Sequence, residues 1–102
     1  MIQINGTIKM AAGTMSANKE MVRELKALIS ASRSEDGCEA YTFAQDILEP
    51  DTLIICERWR DKKALAAHSA SKHMAEFQKV IAKTPPINRD LRIYETDNGK
   101  SL

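Results

Sequence analysis

Long apolar runs are missing from this 102-residue chain, in which no more than four hydrophobic residues follow one another, as in Leu53-Ile54-Ile55-Cys56. A membrane-spanning helix needs about 20, so no span is expected. Charge of one sign is not in excess either: 15 Lys and Arg stand against 14 Asp and Glu, a net charge of +1. The nearest approach to a basic cluster, Arg58-x-Arg60-x-Lys62-Lys63, is flanked by Glu57 and interrupted by Asp61. Nucleic acid, which demands a clustered basic surface, is therefore not an expected partner. The two cysteines, Cys38 and Cys56, lie 18 positions apart without metal-ligand spacing, and read as small buried hydrophobes. Glycine occurs singly, at Gly6, Gly13, Gly37 and Gly99, so no phosphate-cradling loop is present. No G-x-S-x-G elbow occurs. Met1-Ile2-Gln3-Ile4 has neither a basic start nor a long apolar segment, so no secretory leader is expected and a reducing cytoplasm fits best.

The periodicities that are present describe one small domain over residues 1–97, with a frayed tail at 98–102. Residues 2–11 alternate, with Ile2, Ile4, Ile8 and Met10 opposite Gln3, Asn5, Thr7 and Lys9. That is the signature of a half-buried strand. Over 17–33, Met21, Val22, Leu25, Leu28 and Ile29 form one helical face, with Ser16 as its expected cap. Gly37 ends the helical stretch. Strands at 38–46 and 52–60 flank Glu49-Pro50-Asp51 as an antiparallel hairpin. Asp61 and Ser71 are placed to cap two successive short helices, the second closed by Thr84-Pro85-Pro86. Leu91 and Ile93 alternate through a last strand at 87–96.

The order β-α-β-β-α-β, with its second helix split, predicts an α+β ferredoxin-like fold: a four-stranded antiparallel sheet with helices on one face. Apolar groups fall on both sheet faces, Tyr41 and Phe43 on one, Ile54 and Cys56 on the other. A second copy packed sheet to sheet is the expected cover, hence a homodimer.

Glu35-Asp36-Gly37-Cys38-x-x-Tyr41, Glu57-x-Trp59, Leu65-x-Ala67-His68 and His73-Met74-x-x-Phe77, in this order, resemble the antibiotic biosynthesis monooxygenase superfamily, especially its quinol-monooxygenase-like members. The resemblance implies a dimeric α+β barrel with one pocket per subunit. It also implies, for some members, oxygen insertion into quinols or polyphenols without metal or flavin. The haem-degrading branch resembles this chain at Asn5 and Trp59, but Gln78 stands where that branch places its haem-ligating histidine.

Cofactor-free oxygenation needs a base to form the substrate anion and a dry pocket to shelter the radical pair. His68 and His73 are the only histidines and the natural bases. Asn5 is the candidate oxyanion holder. Trp59, Phe77, Tyr41 and Arg92 are the candidates for substrate contact. Two histidines without a third ligand do not suggest a metal, so no cofactor is expected. The partners expected are a small aromatic or quinol-like substrate and O2. Alternatives on the same scaffold are a small-carbonyl isomerase or tautomerase and a non-enzymatic ligand-binding dimer.

Overall fold

The computed structural model describes residues 1–102. Strand β1 spans Ile2–Lys9, followed by a short helical turn α1 (Thr14–Ala17) and helix α2 (Lys19–Arg33). Strands β2 (Cys38–Gln45) and β3 (Thr52–Trp59) form the hairpin, then come α3 (Lys62–Ser69), α4 (Lys72–Ile81) and β4 (Asn88–Glu95). The sheet order is β2-β3-β1-β4 and every pairing is antiparallel, as the ferredoxin-like reading predicts.

Register decides which side chains meet the helices. Ile2 lies opposite Trp59, Ile4 opposite Glu57, and Ile8 opposite Leu53. Facing residues share a sheet face, so Leu53, Ile55, Glu57 and Trp59 all point at α2, α3 and α4. Against them α2 buries Met21, Leu25, Leu28 and Ser32, a helical stripe. Tyr41 and Phe43 belong to this covered side. Ile54 and Tyr94, 44% and 47% exposed, lie on the opposite one.

Two local departures from the sequence reading have tertiary causes. Asn18, not Ser16, caps α2, accepting from the Met21 N–H at 3.1 Å. Asp51, from the β2–β3 turn, accepts from the Gly13 and Met15 N–H groups at 2.8 and 2.9 Å and so sets α1 apart as its own turn. Ser16 Oγ instead donates to the Gly13 carbonyl. A bulge between Cys38 and Ala40 skips Glu39 in the pairing, so Cys38 faces Trp59 while Ala40 faces Arg58. Cys38 thereby joins Tyr41 on the helix-covered face, where simple alternation would separate them. No helix is long and apolar enough to cross a membrane.

Candidate active site

Three elements bring ionisable side chains to one end of the sheet. The turn after α2 carries Glu35, held by backbone bonds from Glu35 N to Ser32 O and from Cys38 N to Glu35 O. Gly37 makes this approach possible: its φ is +82°, and a Cβ there would stand 2.5 Å from the Ala64 Cβ of α3. Arg60 N–H donates to the Gly37 carbonyl at 2.8 Å, fixing the turn to the end of β3. Asp61 caps α3 and Ser71 caps α4, as predicted, accepting from Ala64 N and Met74 N. Ser71 Oγ also donates to the His68 carbonyl at 2.6 Å. That bond locks the corner between the helices and with it the two histidines.

The result is a trio. His68 Nδ1 lies 2.9 Å from Glu35 Oε1, and His73 Nε2 contacts the same oxygen. The imidazole centroids are 5.9 Å apart, and the His68 ring lies 4.6 Å from the Trp59 indole and 5.2 Å from the Tyr41 ring. Behind His68, the Trp59 Nε1–H donates to Glu57 Oε1 at 3.0 Å. An indole N–H deep in a core needs such a partner.

A cavity of about 630 Å³ opens beside this cluster, walled by Ile4, Tyr41, Phe43, Glu57, Leu65, His68, Phe77, Gln78 and Leu91, with Ile87 and Arg89 toward β4. Its size suits a small ligand and its walls are mostly apolar. Of the residues singled out from sequence, His68, Phe77, Tyr41 and Arg92 border it. Arg92 does so at the β4 rim, with its guanidinium paired to Asp90 at 3.7 Å rather than to Glu57 or Glu95. Trp59 is fully buried and backs the wall through His68 and Tyr41. His73 stands one step removed, through Glu35. Asn5 lies opposite Cys56 and Arg92 in register, on the sheet face away from the helices, where it accepts from Gln3 Nε2.

Glu57 and Glu35 are carboxylates of the site that the sequence does not mark as bases beside His68 and His73. The signal for Glu57 was present: a carboxylate in phase with Leu53, Ile55 and Trp59 on the apolar face of a strand. Burial pushes the Glu57 carboxyl up, against the opposing pull of the Trp59 hydrogen bond and the His68 charge. Burial, then the Glu57 charge, likewise drives the Tyr41 phenol well above its ordinary range, so Tyr41 stays a hydroxyl donor. The Cys38 thiol is raised by burial and by both carboxylates, which disfavours the thiolate a nucleophile needs.

The upward shift at Glu57 has a signed consequence for stability. Its folded-state value exceeds the unfolded one, so its contribution is full below the ordinary carboxylate range and is lost as pH rises through the raised value. Glu57→Gln keeps an acceptor for the indole and removes the buried charge. It is expected to stabilise the protein at pH 7 by on the order of 1 kcal/mol. In urea titrations the gain should vanish toward pH 4; a loss at pH 7 would contradict it.

Comparison with known proteins agrees with this architecture. The sequence profile of the antibiotic biosynthesis monooxygenase family matches residues 1–80. The chain is similar to protein sll1783 of Synechocystis sp., 28% identical over 104 residues covering 99% of this chain and 67% of that protein. It is also similar to the Bacillus subtilis protein named "Putative monooxygenase YcnE", 31% identical over 65 residues, 64% of this chain and 65% of that one. The matched stretches thus span about two thirds of these relatives' lengths. Among solved structures, PA3566 from Pseudomonas aeruginosa superposes with a TM-score of 0.74 at 31% identity, covering 91% of this chain and 88% of that one. With the profile spanning strands β1 to β3 and all the helices but the last residue of α4, the chain belongs to the antibiotic biosynthesis monooxygenase family.

Proposed function

We propose that the protein is a cofactor-independent monooxygenase that oxidises a quinol or related polyphenol with O2. The observation that carries this reading is His68, buried yet on the cavity wall, with Nδ1 tied to Glu35. A carboxylate on Nδ1 selects the tautomer and leaves the other nitrogen to act as an acceptor.

In this mechanism His68 takes a phenolic proton, and the resulting anion passes one electron to O2. The semiquinone and superoxide recombine at a ring carbon, and loss of water leaves a hydroxylated quinone. One oxygen atom enters the ring and the other leaves as water, so the substrate supplies all four electrons and no outside reductant is needed. Phe77, Phe43 and Leu65 shelter the pair from water. Tyr41, held as a neutral hydroxyl, offers a donor to the substrate oxygen. The β4 side of the cavity is where closure is wanting: Ile87 and Ile93 are 64% and 62% exposed. A second copy of the chain in a cytoplasmic homodimer, seated along the β4 edge and not only flat on the outer sheet face, is the proposed cover.

The test is oxygen uptake by chelator-treated, flavin-free protein with a panel of hydroquinones. Uptake with a one-to-one yield of hydroxylated quinone is the expected result, and its absence across the panel would remove the proposal. Glu57 beside His68 on one wall favours a second reading, isomerisation of a small carbonyl compound by proton shuttling. Turnover that persists under strict anaerobiosis would select it.

A further inference from the structure

The sequence offers two histidines and no visible third ligand, but the fold supplies one. Glu35 Oε1, His68 Nδ1 and His73 Nε2 come from the turn before β2, from α3 and from α4, and all lie within 4.8 Å of one another. We propose that these three atoms form a binding site for a divalent first-row transition ion.

The donor set is the first argument. Two imidazoles and one carboxylate with positions left for other ligands is the combination found around catalytic zinc and non-haem iron. Calcium and magnesium prefer oxygen donors alone and are not matched. Geometry is the second. An ion about 2.1 Å from each ligand holds ligand atoms roughly 3.0–3.4 Å apart. The Glu35–His68 pair stands at 2.9 Å and all three atoms lie within 4.8 Å of one another, so an adjustment of the partly exposed His73 side chain would bring them onto one ion. Access is the third: the His68 side chain is 4% exposed, Glu35 16% and His73 24%, so the site is sheltered but reachable from the His73 side.

Charge is the fourth argument. The only ion-pair partners of Glu35 are these two histidines. Glu35 is the one carboxylate of the cluster, and a second carboxylate, Glu57, lines the cavity wall with His68. The nearby cations are engaged elsewhere: Arg60 by Asp36 and Asp61, and Arg33 by the Tyr41 carbonyl. A divalent ion would neutralise what the side chains leave. An ion on His68 Nδ1 would leave the ring proton on the other nitrogen, so the metal-bound protein could not use His68 as the base proposed above; ion binding is therefore tested by titration, apart from oxygen uptake.

The experiment is titration of the chelator-stripped protein with Zn2+ by calorimetry and with Co2+ by visible absorption. One ion per chain is expected, with nitrogen-and-oxygen coordination in the cobalt spectrum and a raised Tm. Loss of an outer-shell partner alone weakens metal sites about 10–100-fold, so Glu35→Gln and His73→Ala should each weaken binding at least about tenfold. Glu76→Gln, on the exposed side of α4, should leave it unchanged. His73, the most exposed of the three, is the variant least tied to folding, and circular dichroism confirms the fold of each. Absence of saturable binding, or affinities equal in wild type, Glu35→Gln and His73→Ala, would overturn the site and leave a hydrogen-bonded trio.

Discussion

Gly6→Ala is expected to destabilise the protein by about 4 kcal/mol or more, the range reserved for backbone clashes in a core. Gly6 sits mid-strand in β1 with φ at +150°, a conformation that costs a residue with a Cβ roughly 1–3 kcal/mol. A methyl there would also stand 1.9 Å from the Asp90 carbonyl oxygen and 3.0 Å from the Leu91 Cα. Both obstacles are backbone atoms, so no side chain can turn aside; β1 and β4 must separate. At about 4–8 °C per kcal/mol for a domain near this size, Tm should fall by roughly 20 °C or more. Gly13→Ala, with nothing within 4 Å of the added carbon, is the control and should cost about 1–2 kcal/mol. Equal losses in the two variants would show that the strand contact is not the cause. Since β4 forms one edge of the cavity, Gly6→Ala should also loosen ligand binding beyond what its stability predicts.

His68→Ala is expected to reduce oxygen uptake by about 10²–10⁴-fold, the usual worth of a positioned general base. His73→Ala should lose no more than about tenfold, the equivalent of one hydrogen bond to the carboxylate that orients His68. The contrast rests on placement: His68 is on the cavity wall, whereas His73 reaches it only through Glu35. Folding must be checked first, because His68 is 3% exposed and packs at a tilt against the Trp59 indole. A His68→Ala protein that keeps its circular dichroism and its activity would remove His68 from the chemistry. Equal losses in both variants would instead make the trio act as one unit.

Much of this was legible in the chain. Alternation in β1 and β3, the helical stripe of α2, the caps Asp61 and Ser71 and the stop at Pro85-Pro86 all depend on neighbours close in sequence. Local chemistry therefore suffices to read them. Asn18 takes the cap that Ser16 could fill because Asp51, far along the chain, holds the Gly13 and Met15 N–H groups and makes Thr14–Ala17 a turn of its own. Cys38 changed faces because a bulge shifts the phase of alternation by one residue.

The site divides along the same line. Periodicity determined that Glu57 and Trp59 share an apolar face and that two histidines lie on short capped helices. Only the folded chain decided that Glu35 closes over both imidazoles, since that meeting depends on the Gly37 turn lying against Ala64 and on the Ser71 bond across the α3–α4 corner. Alternation had already set Asn5 opposite Ile2, Ile4 and Ile8; strand register decided that the isoleucine face is the one meeting the cavity. Contacts between distant segments carry no periodic mark, because they are set by packing and register, which belong to the whole sheet and not to any stretch of it.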